Sequence, residues 1–362
     1  MSDNNQTTNH IICVGAVYVD TILTVPHFPI EDEKLRAKKL ARRRGGNTAN
    51  TLEVLTQLLE HDPTTTPSSS NGISTSTTEL HLLSVLPDKA SNAAGFVRDS
   101  LPGVDVDEGS IFRGGHSDAA SSYIIQSQQS LSRTIVSINE LPEMTVDEFI
   151  ASVNNLVSKQ QSQHQAWKKV WFHFEGRIPD ITLQCVTYLR RQFPEFKISV
   201  ECEKPERTQM REVAQHADVV FYSKLWAEKN GFATARAFLE AQRGETRDGA
   251  LLCCTWGSGG AVVVQKKGGG DGEGGEEEVW ADVEAWKGDD GGGGRGGGRG
   301  EGDGKGVVDT IGAGDTFIAG MLFGIVRHGR DWSLGQKLEF ANQVAGRKVL
   351  QEGFGGLGRQ MR

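Results

Sequence analysis

The chain has 362 residues, enough for one large domain with a small appendage or for two domains, and 37% hydrophobic content supports a core. A formal net charge of −8, from 39 basic and 47 acidic residues, argues against nucleic acid as a partner. No stretch reaches the ~20 apolar residues of a membrane helix, and the polar Met1–His10 segment lacks a basic n-region, so a cytosolic protein is expected.

In chain order, Ile11–Val19 reads as a buried first strand and Thr48–Leu59 as an amphipathic helix. The Ser/Thr-rich tract 63–78 reads as a flexible insertion, followed by a strand at His81–Leu86 and a helix around Ala90–Ser100. Tyr123–Ser127 and Thr134–Ile138 are β-rich runs that flank a polar turn and predict a hairpin. Helices are expected at Val146–Ser158, Asp180–Gln192, Ala233–Ala241, Ala313–His328 and Leu334–Leu350. Strands are expected at Val170–Phe174, Lys197–Glu203, Asp218–Tyr222, Leu251–Thr255 and Ala261–Gln265. This alternation predicts an α/β fold with a mostly parallel central sheet covered by helices on both faces. Residues 18–44 and 111–138 fall outside the alternation and predict a separate small sheet, suited to be a lid.

Tract 268–306 holds 18 glycines in 39 residues and is expected to be largely disordered, with a short docked strand within Val279–Trp286. Its trivial GxGxxG matches carry no weight, because no strand precedes and no helix follows them. The five cysteines form no CxxC pair and sit mostly in apolar runs, as reduced core residues would. The nine histidines show no ligand spacing, His173 reads as a strand residue, and no transition-metal site is expected.

The segment Val307–Phe317 carries the most chemistry. Gly312 and Gly314 leave backbone amides uncovered at a helix N-terminus, where the macrodipole favours negative charge. Asp315 lies at the edge of this nest, within reach of an attacking hydroxyl. The same position is expected to lower its basicity, which a loose phosphoryl-transfer transition state tolerates. A bare Gly-Ala-Gly-Asp is equally well an ordinary turn into a helix. In Arg44–Asn50, Asn47 and Asn50 share one face of a helix's first turn and offer donors and acceptors to sugar hydroxyls. Asn47 alone reads more naturally as a helix cap. Asp20 is expected to end the first strand, where open α/β sheets bind ligands.

The string Asp309–Phe317, together with Asp20, Gly46, Asn47 and Asn50, resembles the two signatures of the ribokinase-like (PfkB) family of carbohydrate kinases. The resemblance is greatest to its ketohexokinase branch, whose members phosphorylate fructose on the 1-hydroxyl. The strings Val14–Asp20, Glu31-Asp32, Arg44–Asn50, Arg133–Val136, His173–Arg177, Ser199–Pro205, Asp218–Lys224, Val307–Phe317 and Gln343–Lys348 carry it. It implies a single kinase domain over residues 1–362, a three-layer α/β/α sandwich with a β-sheet lid. Asp315, Gly312, Ala313 and Gly314 would be catalytic; Asp20, Asp32, Gly46, Asn47 and Asn50 would bind sugar. Arg133, Trp256, Gly257, Gly260, Gly314 and Asn342 would bind the nucleotide. It also implies Mg-ATP, a monovalent cation such as potassium near Asp309, and a homodimer through the lid, with Asp32 reaching the partner's sugar site.

Two departures stand out. Ser223-Lys224-Leu225-Trp226 occupies the place of the wider family's NxxE motif, which leaves the magnesium ligands unassigned, as in the ketohexokinase branch. Ser258 stands where that branch has an acid in its nucleotide loop. Another sugar, a nucleoside acceptor, or a non-catalytic sugar sensor on the same fold remain as alternatives. The absence of GxxxxGK[ST] argues against a P-loop ATPase, and the first strand lacks a dehydrogenase's glycine turn.

Overall fold

The computed structural model describes residues 8–65, 77–130, 132–162, 169–266, 278–288, 306–329 and 331–362. The expected flexible insertion and the expected disordered tract fall largely on 66–76, 268–277 and 289–305, outside the described residues.

The first expected strand is two. β1 (Thr8–Val14) lies in the large sheet, and β2 (Tyr18–Val25) belongs to a second one. The break at Gly15–Val17 has a packing cause. A Cβ on Gly15 would stand 2.6 Å from Glu175 Oε2, and that same oxygen accepts the Ala16 N–H at 2.8 Å. β3 (Lys39–Gly45) follows, then α1 (Asn47–Glu60), β4 (Thr77–Leu83), β5 (Val85–Pro87), α2 (Asn92–Asp99), β6 (Val104–Asp105) and β7 (Ile111–Arg113). Thr77 and Thr78 therefore belong to a strand, not to the insertion. The expected hairpin is β8 (Ser121–Ser127) with β9 (Arg133–Ile138), paired antiparallel.

Strands and helices then alternate: α3 (Val146–Ser162), β10 (Lys169–Phe174), α4 (Pro179–Gln192), β11 (Lys197–Cys202), α5 (Met210–Ala214), β12 (Val219–Tyr222), α6 (Lys224–Lys229) and α7 (Ala235–Gln242). β13 (Leu251–Thr255), β14 (Ala261–Gln265) and β15 (Val279–Val283) precede α8 (Ala313–Val326), α9 (Leu334–Val349) and α10 (Leu357–Gln360). β15 is the docked strand expected within the glycine-rich tract; it pairs antiparallel with β14.

Nine strands form one sheet in the order β15-β14-β13-β12-β11-β10-β1-β4-β6, parallel from β13 to β6. Its inner strands are apolar on both faces, as a doubly covered sheet requires. In β1, Ile12 and Val14 pack into a core shared with α3, α4 and α7. The alternate residues Ile11 and Cys13 pack with α1, α8 and α9. α8 is buried along most of its length and touches α9 through Gly320, where a Cβ would come 2.6 Å from Ala341 Cα. All five cysteines are unpaired and buried, and burial pushes Cys185 and Cys254 up to about 12.

The lid is a four-stranded sheet, β3-β2-β8-β9. Strand β7, expected with it, pairs instead with β5 in a two-stranded sheet. No helix among the described residues is long and apolar enough to cross a membrane.

Candidate active site

Three segments converge at the C-terminal ends of the parallel strands: the N-terminus of α1, the N-terminus of α8, and the end of β11. The turn into α8 is set by Gly312, whose φ of 75° is left-handed and whose missing side chain leaves room for Phe354. Gly314 follows in the first helical turn with open space above it, so a ligand can approach its amide, whereas the Ala313 amide, also expected as a donor, is already held by the Thr310 carbonyl at 3.3 Å. Asp315 completes the turn and is 8% exposed.

The carboxylate of Asp315 is held from α1. Asn50 Nδ2 donates to Asp315 Oδ2 at 2.7 Å, while Asn50 Oδ1 accepts from Arg44 Nη1 at 2.7 Å. Arg44 also donates to Glu53. Asn50 thus has both ends of its amide engaged within the protein, in the geometry of a residue that positions Asp315, and one Nδ2 hydrogen has no use in these two bonds. Asn47 is not the cap; Gly46 occupies that position with φ 106°. As the first helical residue, Asn47 points its amide at Glu201 Oε2, 3.0 Å away, and Glu203 Oε2, 3.2 Å away. Gly46 is required because a Cβ there would collide with the carbonyl oxygen of Ala16. Gly46→Ala should therefore cost at least ~2 kcal/mol of stability, from left-handed strain and the clash combined. A thermal melt indistinguishable from the parent's would refute this.

Asp315 does not have the low basicity that a helix N-terminus alone predicts. Burial, then the carboxylate of Glu201, pushes it well above the usual range, against the Asn50 hydrogen bond. Glu201 is raised in turn by burial and by Glu175. Behind it, His173 Nε2 lies 3.0 Å from Glu201 Oε1, and His173 Nδ1 lies 2.9 Å from Ser199 Oγ. Trp171 Nε1 also donates to Ser199 Oγ at 2.8 Å. His173 is thus a strand residue, as expected, and it anchors the carboxylate next to the candidate base.

Asp20 does not end β1. It is the third residue of lid strand β2, paired directly across from Arg43. Gly45 lets this carboxylate lie against β3, since a Cβ there would stand 2.7 Å from Asp20 Oδ2. Burial raises Asp20, with Arg43 opposing. Arg43 also reaches across the cleft to Asp309 Oδ2 at 3.5 Å, and its Nη2 is buried with no hydrogen-bond partner among the described residues. A buried donor left in this way marks a place for an anionic or hydroxyl oxygen. Neither Arg43 nor the pair Glu201 and Glu203 is marked by sequence pattern as a site residue, although the latter two lie within a string that carries the family resemblance.

Residues 303–357 match the model of the pfkB family of carbohydrate kinases. The chain is 27% identical over 259 residues to the ketohexokinase of Mus musculus, covering 68% of this chain and 74% of that one. Both matches are to ribokinase-like carbohydrate kinases. The fold of this chain is that of the Giardia lamblia ribokinase, with a TM-score of 0.65 at 17% identity over 98% and 97% of the two chains. It is also that of the Arabidopsis thaliana ribokinase complexed with ribose and ATP, with a TM-score of 0.64 at 15% identity over 96% and 94%.

Trp256–Gly260, expected at the nucleotide, forms a tight turn after β13, closed by Trp256 N–H to the Gly260 carbonyl at 2.7 Å. Gly260 has φ 86° and lies against the carbonyl of Val283, so β15 buttresses this loop. Asn342 donates its amide to the Glu284 carbonyl at 2.8 Å, which ties α9 to the segment after β15. Arg133 is not simply a solvent-facing hairpin residue, since its Nη1 lies 3.9 Å from Asp309 Oδ1 across the cleft. Asp32 is exposed on a left-handed backbone with φ 62°.

Asp309 does not fit a monovalent cation. The buried Lys348 Nζ donates to its carbonyl at 3.0 Å and to Oδ2 at 3.1 Å, with Arg43 and Arg133 beyond. Burial alone would raise Asp309, but the Ile311 N–H, Lys348 and Arg43 hold it below the usual range. A further cation at this carboxylate would face three cationic side chains. The tethered ammonium of Lys348 fixes the turn that opens α8.

Proposed function

We propose that this kinase transfers the γ-phosphoryl group of Mg-ATP to a ketohexose, forming fructose 1-phosphate from fructose. The observation that carries the reading is the buried Asp315 carboxylate, held by Asn50 beside an open helix N-terminus. ATP supplies the phosphoryl group as co-substrate. The sugar oxygen attacks phosphorus, its proton passes to Asp315, and the broken P–O bond leaves its electron pair on ADP. The Gly312 and Gly314 amides of this turn are suited to the developing charge as donors that need no reorganisation, whereas the Ala313 amide is held by the Thr310 carbonyl. Arg133 and Arg43 stand on the lid side of the same cleft, suited to the phosphate oxygens.

A raised basicity suits Asp315 to this role better than the helix terminus alone would allow, since it can take up the proton even late in the transfer. Asp20, Gly46 and Asn47 are assigned to the sugar. Magnesium fits here as an ion held mainly by phosphates and waters. Glu203 is the exposed carboxylate beside Asp315, while Glu201 is committed to His173 and Asn47.

Asn47→Ala should raise the sugar KM by about tenfold with kcat changed less, the signature of lost ground-state binding. An unchanged KM would remove Asn47 from the sugar site. The acceptor assignment is tested by NMR of the product: phosphate on the 1-position supports the reading, and phosphate elsewhere or only on another acceptor rejects the ketohexose.

A homodimer through the lid is supported by its outward face, where Tyr123, Val136 and Ile138 are 51%, 60% and 50% exposed. Asp32 is then assigned to the partner's sugar site. The five unpaired, buried cysteines support a reducing compartment such as the cytosol.

A further inference from the structure

At the far end of the sheet, His10 of β1 lies with Glu79 and His81 of β4 in a cluster that phosphoryl transfer does not use. Parallel pairing sets His10 beside Glu79 and Ile12 beside His81. Alternation puts all three side chains on the face of Ile12, Val14 and Leu83. His10 Nδ1 lies 3.3 Å from His81 Nε2 and 3.4 Å from Glu79 Oε2. The three potential ligand atoms all lie within 4.8 Å of one another. Around a tetrahedral ion with bonds of ~2.0–2.1 Å, neighbouring ligand atoms stand about 3.3 Å apart. Two edges of that tetrahedron are therefore already formed.

The other ring nitrogen of His81 is also accounted for. Its Nδ1 faces Asp105 Oδ2 of β6 at 3.3 Å. A carboxylate in that position fixes the Nδ1–H tautomer and leaves the Nε2 lone pair directed at the cluster, the usual second partner of a metal-bound imidazole. His10 and His81 are 3% and 4% exposed, while Glu79 opens to solvent and offers a path of entry.

We propose that His10, His81 and Glu79 bind a divalent transition ion of the zinc class, with water as the fourth ligand and Asp105 orienting His81. An imidazole and carboxylate set favours such an ion over magnesium or calcium. The ion links β1 to β4 and, through Asp105, to the edge strand β6. It stands about 13 Å, four strand residues, before the C-terminal end of β1 where the candidate active site begins. Its role is therefore to hold the sheet edge, and it takes no part in the transfer.

The test is titration of the metal-stripped full chain, without nucleotide, using Co²⁺ followed by visible absorption and Zn²⁺ followed by calorimetry and thermal melting. One ion per chain is expected, with a Tm rise on the order of 5 °C at saturation. Glu79→Gln, His81→Gln and Asp105→Asn should each weaken binding by about tenfold or more. Glu79 is half exposed, so its variant keeps the test valid even if His81→Gln fails to fold. Absence of a one-to-one site, or equal affinity in Glu79→Gln and the parent, would overturn the proposal and mark any binding as adventitious.

Discussion

Asp315→Asn should lower kcat by on the order of 10³-fold, within the range that a positioned general base contributes. Sugar and nucleotide binding, measured by calorimetry, should stay within a few-fold of the parent, because an amide has the carboxylate's shape and can still accept from Asn50. Stability should move the other way. Burial and Glu201 raise the carboxyl's folded-state pKa, so the protonated form is the one that the fold favours. That stability is fully present below the unfolded pKa of ~3.9 and is lost as pH rises through the folded value. At pH 7 the variant should therefore melt higher than the parent, and the gap should close in acid. Near-parental turnover would take Asp315 out of the mechanism. A lower Tm at pH 7 would show that its ionised form is better accommodated than its surroundings indicate.

The second large effect concerns the residue that holds Asp315. The Asn50 hydrogen bond opposes the rise in the Asp315 pKa. In Asn50→Ala the acid limb of kcat against pH should therefore move to higher pH, with kcat at neutral pH reduced by roughly tenfold or more. Arg44 Nη1 would lose its buried acceptor, at a cost of about 1–3 kcal/mol in stability. Glu201→Gln should shift the same limb to lower pH, since it removes the neighbouring negative charge. The two carboxylates share one buried site, so the limb reports the pair. The decisive feature is the opposite direction of the two shifts. Parallel shifts, or none, would separate the acid limb from Asp315.

The alternation of strands and helices was legible because both faces of the central sheet are covered, which makes β10, β11 and β13 read as apolar runs bounded by turns. The placement of Asp20 was not. Ile11–Val19 is continuously apolar, and the break after Val14 is imposed by Glu175, which arrives from β10. The turn into α8 was legible in Gly312, Gly314 and Asp315, where backbone conformation is a local property. The basicity of Asp315 was misread because the helix terminus acts locally, whereas Glu201 is brought beside it only by the folded sheet. Asn50 looked free for sugar because its partners, Arg44 and Asp315, become visible only when α1 meets α8. Arg43 carries no motif and gains its meaning from Asp20 and Asp309 on either side. The cluster of His10, Glu79 and His81 has no ligand spacing in sequence; parallel pairing of β1 with β4 creates it.

The most direct test of the central claim is acceptor-dependent ADP release by the purified chain with Mg-ATP, across fructose, ribose, glucose, tagatose and adenosine. Fructose should drive ADP release in step with sugar phosphate formation, with little ATP consumed when the acceptor is omitted. Failure of every acceptor to stimulate ADP release from folded protein would contradict the account.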